Sequence, residues 1–147
     1  MEKETQQCIN TCNALLRGEI SAVEAYSAVL EKFLPSPEIG ALRQILEQHQ
    51  TSCDILAGHV EGMNGEPNLE SGAWGTITTT VQAAANLLGE DSAVSCLING
   101  ENLGIGLYEQ ALENDGLTEL ARKNITDDLL PPLRRNIAVL EVLRDNN

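Results

Sequence analysis

The sequence predicts an all-α protein: a four-helix bundle made of two antiparallel hairpins, with one additional helix in the crossover between them. Three observations carry that expectation. Apolar residues recur every three or four positions along most of the chain, which is the spacing of one helix face. Aromatic residues are scarce, Tyr26, Phe33, Trp74 and Tyr108 being all of them. Leu, Ile, Val and Ala must then fill the core, which suits packed helices better than a sandwich. Finally, no part of the chain reads as a strand.

The first helix is expected from about residue 3 to 34. Ile9, Cys12, Leu16, Glu19, Val23, Tyr26, Leu30 and Phe33 form its single stripe. "PSPEIG" ends it, and Ser36 caps the next helix with Pro37 in the first turn, where a missing N–H costs nothing. Helix two carries Leu42, Ile45, Leu46, His49, Cys53, Leu56 and Val60 to about residue 61. The short turn makes these helices antiparallel neighbours. "GMNGEPNLESG" is the one long irregular stretch. An extra helix follows, with Trp74, Ile77, Val81, Ala84 and Leu88 on one face, bounded by Gly72 and Gly89. That apolar face either lies on the bundle or forms a dimer contact. The next helix is expected from about Asp91 to Asn114, with Val94, Leu97, Glu101, Ile105, Tyr108 and Leu112 inward. The last is expected from about Leu117 to Arg144, kinked or split at Pro131-Pro132 because proline lacks the N–H and clashes with the preceding turn. The organisation is thus one domain over residues 1–147: a hairpin over 3–61, a crossover over 62–90 and a hairpin over 91–145.

The formal charge of −13 argues against nucleic acid, whose affinity comes from Lys and Arg meeting phosphate. It argues equally against an anionic membrane surface. No Lys or Arg occurs between Arg43 and Arg122. This acidity serves a self-repelling surface, or a face for a basic partner or a cation. No segment reads as a signal peptide or a membrane span, so a cytoplasmic protein is expected. There is no phosphate loop, no Glu-x-x-His and no nucleophile arrangement, which leaves a hydrolase no residues to stand on.

Two stretches repeat. "GEISAVEAY" and "GENLGIGLY" place Gly18 with Gly100, Glu19 with Glu101 and Tyr26 with Tyr108, 82 residues apart. Leu30 with Leu112 and Glu31 with Glu113 keep the register. Seven residues are two helical turns, so each Glu and Tyr share one stripe. Each half therefore turns a carboxylate and a phenol inward. The other helices align less well. Leu46, His49, Cys53 and Leu56 match Leu133, Asn136, Leu140 and Leu143 at an offset of 87.

Two hairpins with Glu, six residues, then Tyr on the first helix of each resemble the ferritin-like superfamily of bacterioferritins and rubrerythrins. With "SGAWG" and His49, the chain resembles a group of bacterial ferritin-like domains of unassigned function. The resemblance implies a pseudo-twofold bundle and a di-iron site built from one first-helix Glu and one Glu-x-x-His per hairpin. Carried over, Glu19 and Glu101 match the first-helix carboxylates, Tyr26 and Tyr108 the phenols behind them, and His49 the first histidine. The chain then departs: the carboxylate positions hold Leu46 and Leu133, and the second histidine is Asn136. Glu47 and Glu24 lie about 100° and 140° off the required stripe and do not substitute.

Two arrangements satisfy Glu19, His49, Glu101 and Asn136. One is a single divalent ion (Fe, Mn or Zn) completed by water; the other is a metal-free polar core held by Tyr26 and Tyr108. The functional expectation is a ferritin-like protein with a degenerate interior metal site, acting by binding a partner or a metal in stress or storage physiology. The alternative is a metal-dependent Fe/Mn oxidoreductase or ferroxidase with an altered ligand set. Bundles of this kind often form homodimers. Cys8 and Cys12 lie four apart on one face, with Cys53 about a turn away. They read as buried core thiols, or as a soft cluster for Cu(I) or Zn. His59, near the end of helix two, reads as a surface or end-cap residue.

Overall fold

Helix α1 (Glu2–Lys32) forms from a long periodic stripe with no proline to interrupt it. Cys8, Ile9, Cys12, Leu15, Leu16, Glu19, Ala25, Tyr26, Val29 and Leu30 are buried along it. The computed structural model describes residues 2–32, 39–72, 82, 83, 86 and 89–145. The turn with Ser36 and Pro37, the side chain of Phe33, and all but three residues of the expected Trp74 helix lie outside these.

Helix α2 (Ile39–Gly62) buries Leu42, Ile45, His49, Ser52, Leu56 and Val60 against α1. The pairing is antiparallel: Glu19 meets His49, and Asn13 meets the carbonyl of Glu66. The end of α2 is defined by backbone chemistry. Asn64 adopts a left-handed φ of 65°, Gly65 N–H donates to Val60 O at 2.9 Å, and Asn64 N–H donates to Glu61 O at 2.9 Å. These two bonds satisfy carbonyls that the helix leaves orphaned. Gly65 is required there by proximity, because a Cβ would lie 2.9 Å from Ile9 Cγ2. Asn13 then clasps the irregular stretch, accepting from Asn68 N–H at 2.9 Å through Oδ1.

Helix α3 (Glu90–Leu112) runs antiparallel to α1, as the pairs Tyr26 with Glu101 and Thr11 with Asn114 show. Backbone N–H groups of Glu113 and Asn114 donate to Gln110 O and Ala111 O, and one cation serves the carbonyls that follow. Arg122 donates to Leu112 O at 2.5 Å and to Asn114 O at 2.9 Å. This is favourable twice over, since the helix C-terminus carries partial negative charge.

The final rod is not one helix. Thr118 caps α4 (Glu119–Asn124), its hydroxyl accepting from Ala121 N–H at 3.1 Å. A π-helical turn follows over Ile125–Leu129, then α5 (Pro131–Asp145). The split falls where the sequence predicts it, because Pro131 and Pro132 lack the N–H groups that would continue the ladder. Just before them the ladder widens: Leu130 N–H reaches back five residues to Ile125 O at 2.9 Å. The prolines then open α5, where a missing donor costs nothing.

Among the described residues the protein is an all-helical bundle without strands. Two apolar clusters form its core. One gathers Cys8, Cys12, Leu56, Ile125, Leu129 and Leu133 at one end. The other gathers Val29, Leu42, Ile45, Val94, Leu97 and Leu140 at the opposite end. Val23, Leu46, Ile105 and Leu112, expected inward, are only half-buried. Leu46 and Leu112 lie at the edge of their stripes, beside Ile45 and Ala111, which are buried. Among the described residues no helix is long and apolar enough to cross a membrane.

Gly58 and Gly106 sit inside α2 and α3, exposed, with nothing within 4 Å of an added Cβ. Gly58→Ala and Gly106→Ala are each expected to raise stability by about 0.5–1 kcal/mol, because glycine loses more backbone entropy in a helix. Urea unfolding monitored by circular dichroism measures it.

Candidate functional site

A polar layer separates the two apolar clusters, and each rod of the bundle contributes to it. Glu19 comes from α1, His49 from α2, Glu101 from α3 and Asn136 from α5. All are buried, with 4%, 2%, 2% and 7% of their surfaces exposed. Those values make hydrogen bonding obligatory, since an unpaired charge at such depth costs several kcal/mol.

His49 sits at the centre. Its Nδ1 lies 2.5 Å from Glu19 Oε2, and its Nε2 lies 2.8 Å from Glu101 Oε2. Both ring nitrogens therefore face carboxylate oxygens, which are acceptors only when ionised. The arrangement is satisfied when the ring carries both protons. Burial alone lowers the His49 pKa, but the charge of Glu19 and the hydrogen bonds and charge of Glu101 outweigh it and push it up to about 10. The imidazolium also stacks on the Tyr26 ring, with centroids 5.4 Å apart and planes 27° off parallel. A cation over a phenol face is a further attraction.

The tyrosines cross between the halves. Tyr26 on α1 donates to Glu101 Oε2 on α3 at 3.3 Å. Tyr108 on α3 donates to Glu19 Oε1 on α1 at 2.6 Å. Each phenol thus binds the glutamate of the other repeat, not its own. Burial, then the nearby carboxylates, raise both phenol pKa values well above 10, so they remain neutral donors. Asn136 uses both amide protons, donating to Glu101 Oε1 at 2.7 Å and to Gln48 Oε1 at 2.9 Å. Gln48 in turn donates to the buried Ser52 hydroxyl at 2.9 Å. Gln48 and Ser52 are the members that sequence reasoning missed. Gln48 lies one step off the His49 stripe and reaches the layer only through its long side chain.

The positions that the resemblance assigns to further carboxylates remain apolar. Leu133 is 1% exposed and Leu46 is half-buried, while Glu24 and Glu47 point to solvent. Two small cavities flank the layer, each of about 30 Å³. One touches Glu19, His49, Glu101 and Tyr108; the other touches Ser21, Tyr26 and Glu101. Gly18 and Gly100 line both. Each has room for about one water. Among the described residues no group of three or more His, Cys, Asp or Glu side chains is arranged to hold a metal ion.

Neither protein-family models, curated proteins nor solved structures give a match to this chain.

Of the remaining sequence candidates, His59 lies half-buried in the last turn of α2. Its Nε2 lies 2.7 Å from Asn124 Oδ1 and ties α2 to the end of α4. Among the described residues Cys8, Cys12, Cys53 and Cys96 are free thiols.

The two phenols are expected to differ in weight. Tyr108→Phe removes a short bond to Glu19, whose other partner in the layer is His49, and should cost about 1.5–3 kcal/mol. Tyr26→Phe removes a long bond to a glutamate that His49 and Asn136 also serve, and should cost about 0.5–1 kcal/mol. Denaturant unfolding of both variants reads the order, and a costlier Tyr26→Phe contradicts the geometry.

The histidine sets a pH dependence. Its pKa is raised from 6.5 in the unfolded chain to about 10 in the folded one. The folded state therefore holds a proton that the unfolded state has lost. The stabilisation is complete below pH 6.5 and declines as pH rises toward 10. The slope is expected to approach about 1.4 kcal/mol per pH unit between pH 7 and 9. Above pH 9 Cys12 and Cys53, each pushed from 9.0 up to about 12 chiefly by burial, steepen the loss. Stability curves for the wild type and His49→Gln test this, because the variant should lose the slope below pH 9.

Proposed function

We propose that this chain is a ferritin-like bundle in which a protonated histidine takes the central position of the metal, and that it acts by binding rather than by catalysis. The proposal includes the pseudo-twofold, the crossover helix around Trp74 and a role in stress or storage physiology through a protein partner or a homodimer. One observation carries it: both nitrogens of His49 are engaged by Glu19 and Glu101. A metal-bound histidine is neutral at its ligating nitrogen and offers a lone pair there. An imidazolium between two carboxylates offers none. It does supply the positive charge that two buried glutamates need. The crossed Tyr26 and Tyr108 bonds support the pseudo-twofold, since equivalent residues of the repeat play equivalent parts.

The donor set does not fit a di-iron centre. Such a centre draws on four carboxylates and two histidines. Here two carboxylates and one histidine face one another, and Leu133 fills a carboxylate position. A specific feature favours a second reading, a single divalent ion as in an altered Fe/Mn oxidoreductase or ferroxidase. The cavity beside Glu19 and Glu101 has the volume of one water or ion. That reading requires His49 to surrender a proton and turn one nitrogen away from its carboxylate.

Two measurements separate the readings. Protein incubated with Fe(II), Mn(II) or Zn(II) and desalted is expected to carry no stoichiometric metal. Nitrogen-15 NMR is expected to show two protonated His49 ring nitrogens at pH 7. One retained equivalent of metal that Glu19→Ala abolishes would overturn the proposal in favour of the divalent-ion reading. The triple variant Leu46→Glu, Leu133→Glu, Asn136→His is expected to gain iron binding. If it stays folded without binding iron, the ferritin-like register itself is wrong.

A further inference from the structure

The outer face of α5 carries a pattern that no contact within one chain uses. Arg135, Ala138, Val142 and Asp145 are all exposed along it. They stand three, four and three residues apart. That interval keeps side chains in one row on a helix, and it is the row a coiled coil offers to a second helix. Val142 is 57% exposed and Val139 beside it 39%, while the opposite face of α5 is buried through Leu133, Asn136 and Leu140. Arg134 reaches Glu109 at 3.3 Å, but Arg135 has no ion-pair partner among the described residues. Asp145 accepts from Arg144 Nε at 3.3 Å through Oδ1, an exposed contact.

The row is symmetric about its own centre. Arg135 and Asp145 lie equally far on either side of Leu140, and so do Ala138 and Val142. The members of each pair are complements, opposite in charge in the first and small against large in the second. Turned end for end against a copy of itself, the row sets Arg135 beside Asp145 and Ala138 beside Val142, each twice. An isologous contact has this property, since one patch serves both subunits around a twofold axis. Charge permits the approach. The chain carries −13 in all, yet α5 holds Arg134, Arg135 and Arg144 against Glu141 and Asp145, so copies that meet here do not set acid against acid.

We propose that α5 is a homodimer surface: two copies pack antiparallel through Ala138 and Val142, with Arg135 of each copy paired to Asp145 of the other. This names the surface of the homodimer included in the functional proposal, and rests on that part of it and not on the proton of His49. One helix face per copy falls short of the ~1,200 Å² at which stable interfaces begin, so the dimer is weak and reversible.

Sedimentation equilibrium of the full chain, from micromolar concentration up to about 1 mM, reads the association. The wild type is expected to pass from monomer toward dimer across that range. Val142→Lys puts a charge into the apolar centre and should remain monomeric. Arg135→Glu and Asp145→Arg each turn two attractions into two repulsions, and each should weaken association about tenfold. Asp145→Arg is the sharper of the two, because it lowers the net negative charge and by general repulsion alone would strengthen association. An equal mixture of these two variants should recover association, as should the double variant. All these positions are exposed, so the variants are expected to keep the wild-type circular dichroism. A dimer that these variants leave unchanged, or single variants that mixing does not rescue, overturns this surface while the homodimer itself stands. A wild type that is monomeric throughout overturns both, and leaves the reading of His49 to its own NMR test.

Discussion

The bundle depends on one cation held between two buried anions. Glu19 and Glu101 are each nearly inaccessible to water, so their carboxyl oxygens need hydrogen-bonding partners at that depth. His49 joins them through opposite edges of one ring. Because the ring is planar and its nitrogens diverge, the two carboxylates must approach from fixed directions. The contact therefore sets the axial positions of α1, α2 and α3 relative to each other, and Asn136 adds α5. Apolar contacts supply most of the driving force, yet they are non-directional. Leu against Leu tolerates sliding by a fraction of a turn; an imidazolium between two carboxylates does not.

The approach of α1 to α3 follows from the same demand. For Tyr108 to reach Glu19 and Tyr26 to reach Glu101, the two backbones must come close at the level of the glutamates. Gly18 and Gly100 stand beside those glutamates. A Cβ at Gly18 would already lie 3.2 Å from Leu107 Cδ1. The motif Gly-Glu, six residues, Tyr then combines two parts in both copies, a glutamate turned inward and a tyrosine that crosses to the partner rod, while close approach bears on Gly18 alone, since an added Cβ at Gly100 would meet nothing within 4 Å. The small cavities on either side are what remains where glycine leaves no side chain to fill the space.

Much of this was legible in the sequence because it rests on periodicity. A seven-residue interval on a helix places Glu and Tyr on one face wherever the helix lies, so their inward direction needed no tertiary knowledge. The proline pair likewise announced its break from its missing donors. What the sequence could not supply was partnership. Which glutamate each phenol binds depends on the relative shift of two rods, and no spacing within one helix encodes it. The π turn at Ile125–Leu129 was hidden for a similar reason. Proline dictates that the ladder must fail, but whether it widens or kinks depends on the packing of Leu129 and Leu130, both buried. Gln48 escaped because it is off the stripe and enters by length of side chain alone.

The choice of a polar layer over a continuous apolar core calls for its own physical reason. Replacing a buried ionic cluster by well-packed apolar residues is often neutral or stabilising by about 1–4 kcal/mol. Stability alone therefore does not account for Glu19, His49 and Glu101. Specificity of register does. The two apolar clusters on either side are built from the same few aliphatic types, and a bundle of such rods has many neighbouring arrangements of similar energy. With the layer present, each misregistered arrangement strands at least one carboxylate or the imidazolium without its partner, at a cost of several kcal/mol. A metal at this position would impose the same selection, through coordination geometry. On the proposed reading, a proton on His49 imposes it through two hydrogen bonds.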